Sequence, residues 1–214
     1  IGYPLLKLTV DEPTEVLVGF GEHLEDLRVR SSCGYRNFAF RYVAKPGENI
    51  FFHPFRRIGL RYMQLHIAAK KAKVQQVAIR PTRYPMAKKP MPVTDGLHKK
   101  LWQVASKTLD LCMQDYFCDC IWREQSMYIL DSRNQMLCGY YAFGEYEFPR
   151  ACLELICEDR REDRMLSICY PAGGDMAIPS FALHLYTSVK EYGIHSGDWE
   201  FVKKIYPKLR DALS

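Results

Sequence analysis

The residues with the most chemistry in this sequence lie between Asp115 and Asp131, in the run Asp-Tyr-Phe-Cys-Asp-Cys-Ile-Trp-Arg-Glu-Gln-Ser-Met-Tyr-Ile-Leu-Asp. It places Asp119, Glu124 and Asp131 among Trp122, Arg123 and Tyr128. Carboxylates accept hydrogen bonds from hydroxyls, and an arginine donates in a planar fork. An aromatic ring stacks on the apolar face of a sugar. A carboxyl kept protonated in poorly polar surroundings protonates a departing glycosidic oxygen. The chemistry suggested is therefore glycoside hydrolysis. The same residue types also cap helices and make surface ion pairs, and on pattern alone that second reading comes first.

The elements on either side must position this run. Asp95 is placed to cap a helix through Leu97, Leu101, Val104, Ala105, Thr108, Leu109 and Cys112. A second helix is expected over 127–143, stopped by Gly144, and a third over 148–158. A fourth is expected over 180–192, between Pro179 and Gly193, and a fifth over 198–213. Short connections make antiparallel helical hairpins. Upstream, alternating or β-rich runs at 5–10, 15–20, 38–43, 50–52, 59–67 and 74–79 predict a β-sandwich or jelly roll. Phe51, Phe52 and Phe55 are expected to fill its core. Pro81, Pro85, Pro90 and Pro92 mark a linker. The expected organisation is a β-sandwich domain at 1–80, a Pro/Lys-rich linker at 81–94 and a helical domain from 95 to 214.

Composition narrows the function. The chain has 214 residues, 48% hydrophobic and 26% charged, an ordinary globular balance. No run approaches the roughly 18 apolar residues of a membrane span. Residues 1–90 carry 16 Lys and Arg against 7 Asp and Glu, a balance of +9, and residues 91–214 carry 14 against 18, a balance of −4. The basic residues are dispersed among apolar ones, as on solvated strands, so no nucleic-acid partner is expected. The eight cysteines include no Cys-x2-Cys pair. They read as buried thiols in a reducing, cytoplasmic setting, with neither metal ligation nor cofactor expected. Ala172-Gly-Gly-Asp175 lacks the order of a nucleotide-binding loop and reads as a turn. The chain begins without Met and without a signal-peptide pattern.

Asp119-Cys-Ile-Trp-Arg-Glu-Gln125, with Asp131 seven residues beyond Glu124, resembles the catalytic signature of the bacterial α-L-rhamnosidases, glycoside hydrolase family 78. Phe20-Gly-Glu22 and Phe55-Arg-Arg-Ile-Gly-Leu-Arg-Tyr62 resemble strand motifs of the sandwich that precedes the family's catalytic domain, and Tyr84-Pro85 resembles the exit from it. Ile178-Pro-Ser-Phe-Ala-Leu183, Tyr192, Gly197-Asp198 and Tyr206-Pro207 resemble the early helices of its (α/α)6 barrel. The resemblance implies a sandwich followed by the first helical hairpins of that barrel. It implies that Glu124 is the general acid of an inverting hydrolase, with Asp119, Asp131 and Arg123 on the sugar hydroxyls. A wall role for Trp122 is an addition from ring chemistry rather than a carry-over. The implied partner is a rhamnose-containing oligosaccharide or glycoside.

Inversion needs a second carboxylate about 6.5–9.5 Å from the acid. The family's base lies further along the barrel, so none is assigned in these residues, and the 214-residue segment alone is expected to be an inactive fragment. Ile121 and Trp122 replace the common Pro-Gln, Gln125 replaces a frequent Arg, and Ser180 replaces a frequent Asp. These departures leave two alternatives: an (α/α)6 glycosidase of other sugar specificity, or a non-catalytic sugar-binding protein on a decayed glycosidase fold.

Overall fold

The computed structural model describes residues 1–87, 89–92, 95–159, 161–173 and 176–211. They form two compact units, one of residues 1–82 with 121–124, the other of 83–120 with 125–214.

The first unit contains β1 (Gly2–Val10), β2 (Thr14–Gly21), β3 (Leu24–Glu25), β4 (Arg28–Val29), β5 (Ser32–Cys33), β6 (Arg36–Asn37), β7 (Ala39–Ala44), β8 (Gly47–Phe52), β9 (Tyr62–Ile67) and β10 (Ala72–Pro81). Two three-stranded antiparallel sheets, β10-β1-β8 and β7-β2-β9, carry the sandwich. Each side chain's face follows from the pleat. Leu6, Leu8 and Val10 of β1 and Val16 and Val18 of β2 alternate inward and form one cluster with Ala44. Burying an aliphatic side chain of this size is worth about 1.5–3 kcal/mol. A one-residue slip would turn the whole set outward.

The same alternation corrects the expectation for the phenylalanines. Phe51 points inward and stacks on Phe40 at 5.3 Å between ring centroids. Phe52, one residue on, is 37% exposed on the outer face. Phe55 lies beyond the strand and is 92% exposed. The strand expected over 59–67 begins only at Tyr62. Residues before it form a loop, tied to β1 by reciprocal hydrogen bonds between Gly2 and Ile58 at 3.1 and 2.8 Å. Two small hairpins, β3–β4 and β5–β6, fill the stretch between β2 and β7. The alternation pattern did not reveal them.

The second unit contains α1 (Gly96–Cys112), α2 (Ile129–Ala142), α3 (Glu147–Ile156), α4 (Pro179–Ser196) and α5 (Trp199–Asp211). Asp95 caps α1 by accepting from the His98 amide at 3.1 Å. Gly144, in the left-handed region at φ 62°, closes α2 with its amide on the Gly139 carbonyl. Gly193 does not end α4. The helix runs on to Ser196, and Gly197 at φ 75° is the cap. Gly193 answers a different need: a Cβ there would stand 2.8 Å from the Trp199 ring, which packs against it. The expected end of α5 at 212–213 and the second half of the 172–175 turn lie outside the described residues.

One core joins the helices through Met136, Tyr140, Leu153, Val189, Phe201 and Ile205. The Arg133 guanidinium adds a bidentate pair to Glu191, at 3.0 and 2.6 Å, tying α2 to α4. Tyr84, in the proline-rich stretch, donates its amide to the Met113 carbonyl at 2.9 Å and packs its ring 4.5 Å from Phe148. The apolar stripe Leu97, Leu101 and Val104 on α1 is exposed. Among the described residues no helix is long and apolar enough to cross a membrane.

Candidate active site

The run singled out by its residue types is the connection from α1 to α2, and its two ends are stitched within the helical unit. The Cys118 amide donates to the Cys112 carbonyl at 2.8 Å, and Gln135 Nε2 reaches from α2 to the Cys118 carbonyl at 2.6 Å. Asp119 donates its amide to the Ser126 carbonyl at 3.0 Å, while its Oδ1 accepts from the Ser126 amide at 2.9 Å. That exchange closes a loop over the residues between. The reversal is made at Gln125, whose φ of 54° is left-handed. A non-glycine residue there costs roughly 1–2 kcal/mol. Its carbonyl accepts from the Tyr116 hydroxyl at 3.2 Å. Asp131 stands in the first turn of α2, where the helix dipole favours a carboxylate.

The middle of the loop, residues 121–124, belongs to the sandwich unit. Gly59 accepts the Ile121 carbonyl so closely that a Cβ would fall 1.5 Å from its oxygen. Trp122 is 8% exposed and forms a cluster with Phe20, Phe38 and Ile58. Its ring lies 4.7 Å from Phe38 and 6.0 Å from His23. Trp122, expected to wall a sugar pocket, thus has most of its ring packed in the sandwich core. Arg36 Nη1 donates to the Arg123 carbonyl at 2.6 Å. The Arg123 guanidinium in turn pairs with Glu124 Oε2 at 2.9 Å. The Glu124 side chain is 19% exposed and that of Arg123 52%, so the carboxyl is the more sheltered partner.

The structure therefore brings Arg123 and Glu124 together, places Asp119 against Ser126, and sets Asp131 at a helix start. The sequence reading missed Arg36 and Gly59 as parts of this arrangement. Gly59, between Ile58 and Leu60 at the start of the run expected as a strand, is a signal of close backbone approach. Arg36 carried no sequence signal. The helical unit also holds a cleft of ≈ 650 Å³, lined by Trp102, Leu109, Asp119, Gln135 and Cys138 among others.

In chain order a β-sandwich unit is followed by helices, with Asp119 and Glu124 on the connection between the first two and Asp131 in the first turn of the second. Residues 93–214 match the bacterial α-L-rhamnosidase six-hairpin glycosidase domain, and the chain belongs to that family. No curated protein sequence matches the chain. Among solved structures, it is similar to a family 78 rhamnosidase of Bacillus sp. GL1, with 28% identity and a TM-score of 0.88 over 99% of this chain and 22% of that one. It shares its fold with a rhamnosidase from Klebsiella oxytoca with rhamnose bound, at 20% identity and a TM-score of 0.83 over 99% of this chain and 45% of that one. It also shares its fold with an α-L-rhamnosidase from Dictyoglumus thermophilum, at 15% identity and a TM-score of 0.68 over 99% of this chain and 25% of that one. The chain thus spans less than half the length of each of these structures.

Proposed function

We propose that the protein is an inverting glycoside hydrolase that releases terminal α-L-rhamnose from rhamnosides. The observation that carries this reading is the family match over residues 93–214, which contains the whole carboxylate-bearing loop. The rhamnose found in the Klebsiella oxytoca relative supports the choice of sugar.

Glu124 is the general acid. Its carboxyl gives a proton to the glycosidic oxygen as the bond to the anomeric carbon breaks, so that the aglycone leaves as a neutral alcohol. To act, the carboxyl must carry a proton, so Arg123, whose ion pair favours the carboxylate, turns from Glu124 to the sugar in the reactive complex. Asp119 and Asp131 accept hydrogen bonds from rhamnose hydroxyls. Arg123 donates to the same sugar. The positive charge that builds at the ring in the oxocarbenium-like transition state is stabilised by these carboxylates. A water attacking the opposite face completes inversion. No residue of the 214 is assigned as the base that activates it.

The test is a panel of aryl glycosides, presented to the protein expressed from its full reading frame. Turnover of the α-L-rhamnoside alone supports the reading. Turnover of a different sugar would move it to another helical-barrel glycosidase. A folded protein that binds sugars but turns over none would make it a sugar-binding protein on the same fold.

A further inference from the structure

Three consecutive residues ahead of Glu124 are held by the sandwich unit, each by different means. The Ile121 carbonyl is seated on Gly59, the Trp122 ring is buried against Phe38, and the Arg123 carbonyl accepts from Arg36 at 2.6 Å. Glu124 is the next residue, so the direction of its side chain is set by a backbone fixed at three successive points. Proton transfer in a transition state demands that accuracy, since a misplacement of about 1 Å can cost 10²-fold. We infer that the sandwich positions the general acid, and that Arg36, on β6 of the small β5–β6 hairpin, is the positioning residue that does so by hydrogen bond. The inference rests on Glu124 being the acid.

Arg36 is suited to the part. Its guanidinium lies 5.6 Å from the centre of the neighbouring, exposed Tyr35 ring. A charged donor on a carbonyl makes one of the stronger hydrogen bonds. It also acts on the peptide of Arg123, whose own guanidinium holds the Glu124 carboxyl at 2.9 Å. The Arg36 contact fixes the backbone one residue ahead of Glu124. Gly59 and Trp122 grip by packing, and changing them disturbs the core. Arg36 is half-exposed and can be changed with the core intact.

The experiment compares Arg36→Ala, Arg36→Lys and Glu124→Gln in the protein expressed from its full reading frame, with thermal unfolding measured alongside. Two substrates are used: methyl α-L-rhamnoside, whose poor leaving group needs the proton, and 2,4-dinitrophenyl α-L-rhamnoside, whose leaving group does not. Arg36→Ala should lower kcat on the methyl glycoside by about 10- to 100-fold, and on the dinitrophenyl glycoside by less than about threefold, with KM little changed. Arg36→Lys, which keeps a cationic donor, should recover part of the loss. An equal loss on both substrates, tracking a fall in unfolding temperature, would overturn the inference and make Arg36 a fold residue. Full activity of Arg36→Ala on the methyl glycoside would also overturn it. Glu124→Gln separates the two layers. If it shows the leaving-group dependence and Arg36→Ala does not, only the positioning role fails. If Glu124→Gln shows none, the assignment of the acid itself fails.

Discussion

Gly59 and Ile121, far apart in sequence, meet so closely that a Cβ on the glycine would stand 1.5 Å from the isoleucine's carbonyl oxygen. The neighbour is backbone, which cannot rotate away. Gly59→Ala should therefore destabilise the sandwich unit by about 3 kcal/mol, the upper range for inserting a methyl into filled space. Chemical denaturation monitored by tryptophan fluorescence checks this. Wild-type stability in Gly59→Ala would show that the contact is looser than described.

Trp122 offers a comparison within the same contact region. Its ring fills the cluster with Phe20, Phe38 and Ile58, but its buried indole N–H has no hydrogen-bond partner among the described residues. Trp122→Phe keeps most of the ring and removes an unsatisfied donor, so its cost should stay within about 1.5 kcal/mol. Trp122→Ala should cost about 3–5 kcal/mol. Equilibrium unfolding of both variants measures the gap. Equal losses would mean that the N–H, and not the ring, matters there.

Burial makes stability fall at high pH. The Cys152 thiol is pushed up to about 12 by desolvation, and burial also pushes the Tyr140 phenol up. Below the ordinary thiol and phenol values of 9.0 and 10.0 both groups are protonated in the folded and unfolded chains alike, and this contribution is fully present. Above those values the unfolded chain releases protons that the folded chain retains. Stability is then lost as pH rises, by up to about 1.4 kcal/mol per pH unit for each group. Unfolding free energies between pH 8 and 11 should show this slope, and Cys152→Ala should remove the part that begins near the thiol value.

The cysteines should also divide by reactivity. Cys138 on α2 is exposed, whereas Cys112, Cys118, Cys152, Cys157 and Cys169 are buried. In the native protein a maleimide should label Cys138 rapidly and leave the buried five until the chain unfolds. Peptide mapping after a short pulse reads this directly. Labelling of Cys152 at the rate of Cys138 would contradict the described packing.

Much of the fold was legible because two periods carry it. The alternation in β1 and β2 and the capped, glycine-ended runs of α1 and α2 follow from local rules, and Asp95 and Gly144 act where those rules put them. The fourth helix was misjudged at Gly193, because a glycine that makes room for Trp199 looks locally like a stop. Asp119, Glu124 and Asp131 stand out in the sequence because they are close together in it. The setting of Glu124 was not found. It depends on Arg36, Phe38 and Gly59, which lie 60 or more residues upstream of the loop, and no period or spacing links residues that meet only in the folded sandwich. Trp122 shows the same limit from the other side: an aromatic beside carboxylates suits a sugar platform, and only the fold reveals that its ring is buried.

The most direct test of the account is the rate of α-L-rhamnoside hydrolysis by Glu124→Gln, measured on an unactivated glycoside in the protein expressed from its full reading frame, with rhamnose binding measured in parallel. With Glu124 as the general acid, kcat should fall by about 10²- to 10⁴-fold with rhamnose affinity retained. A variant that hydrolyses the glycoside at the wild-type rate would contradict it.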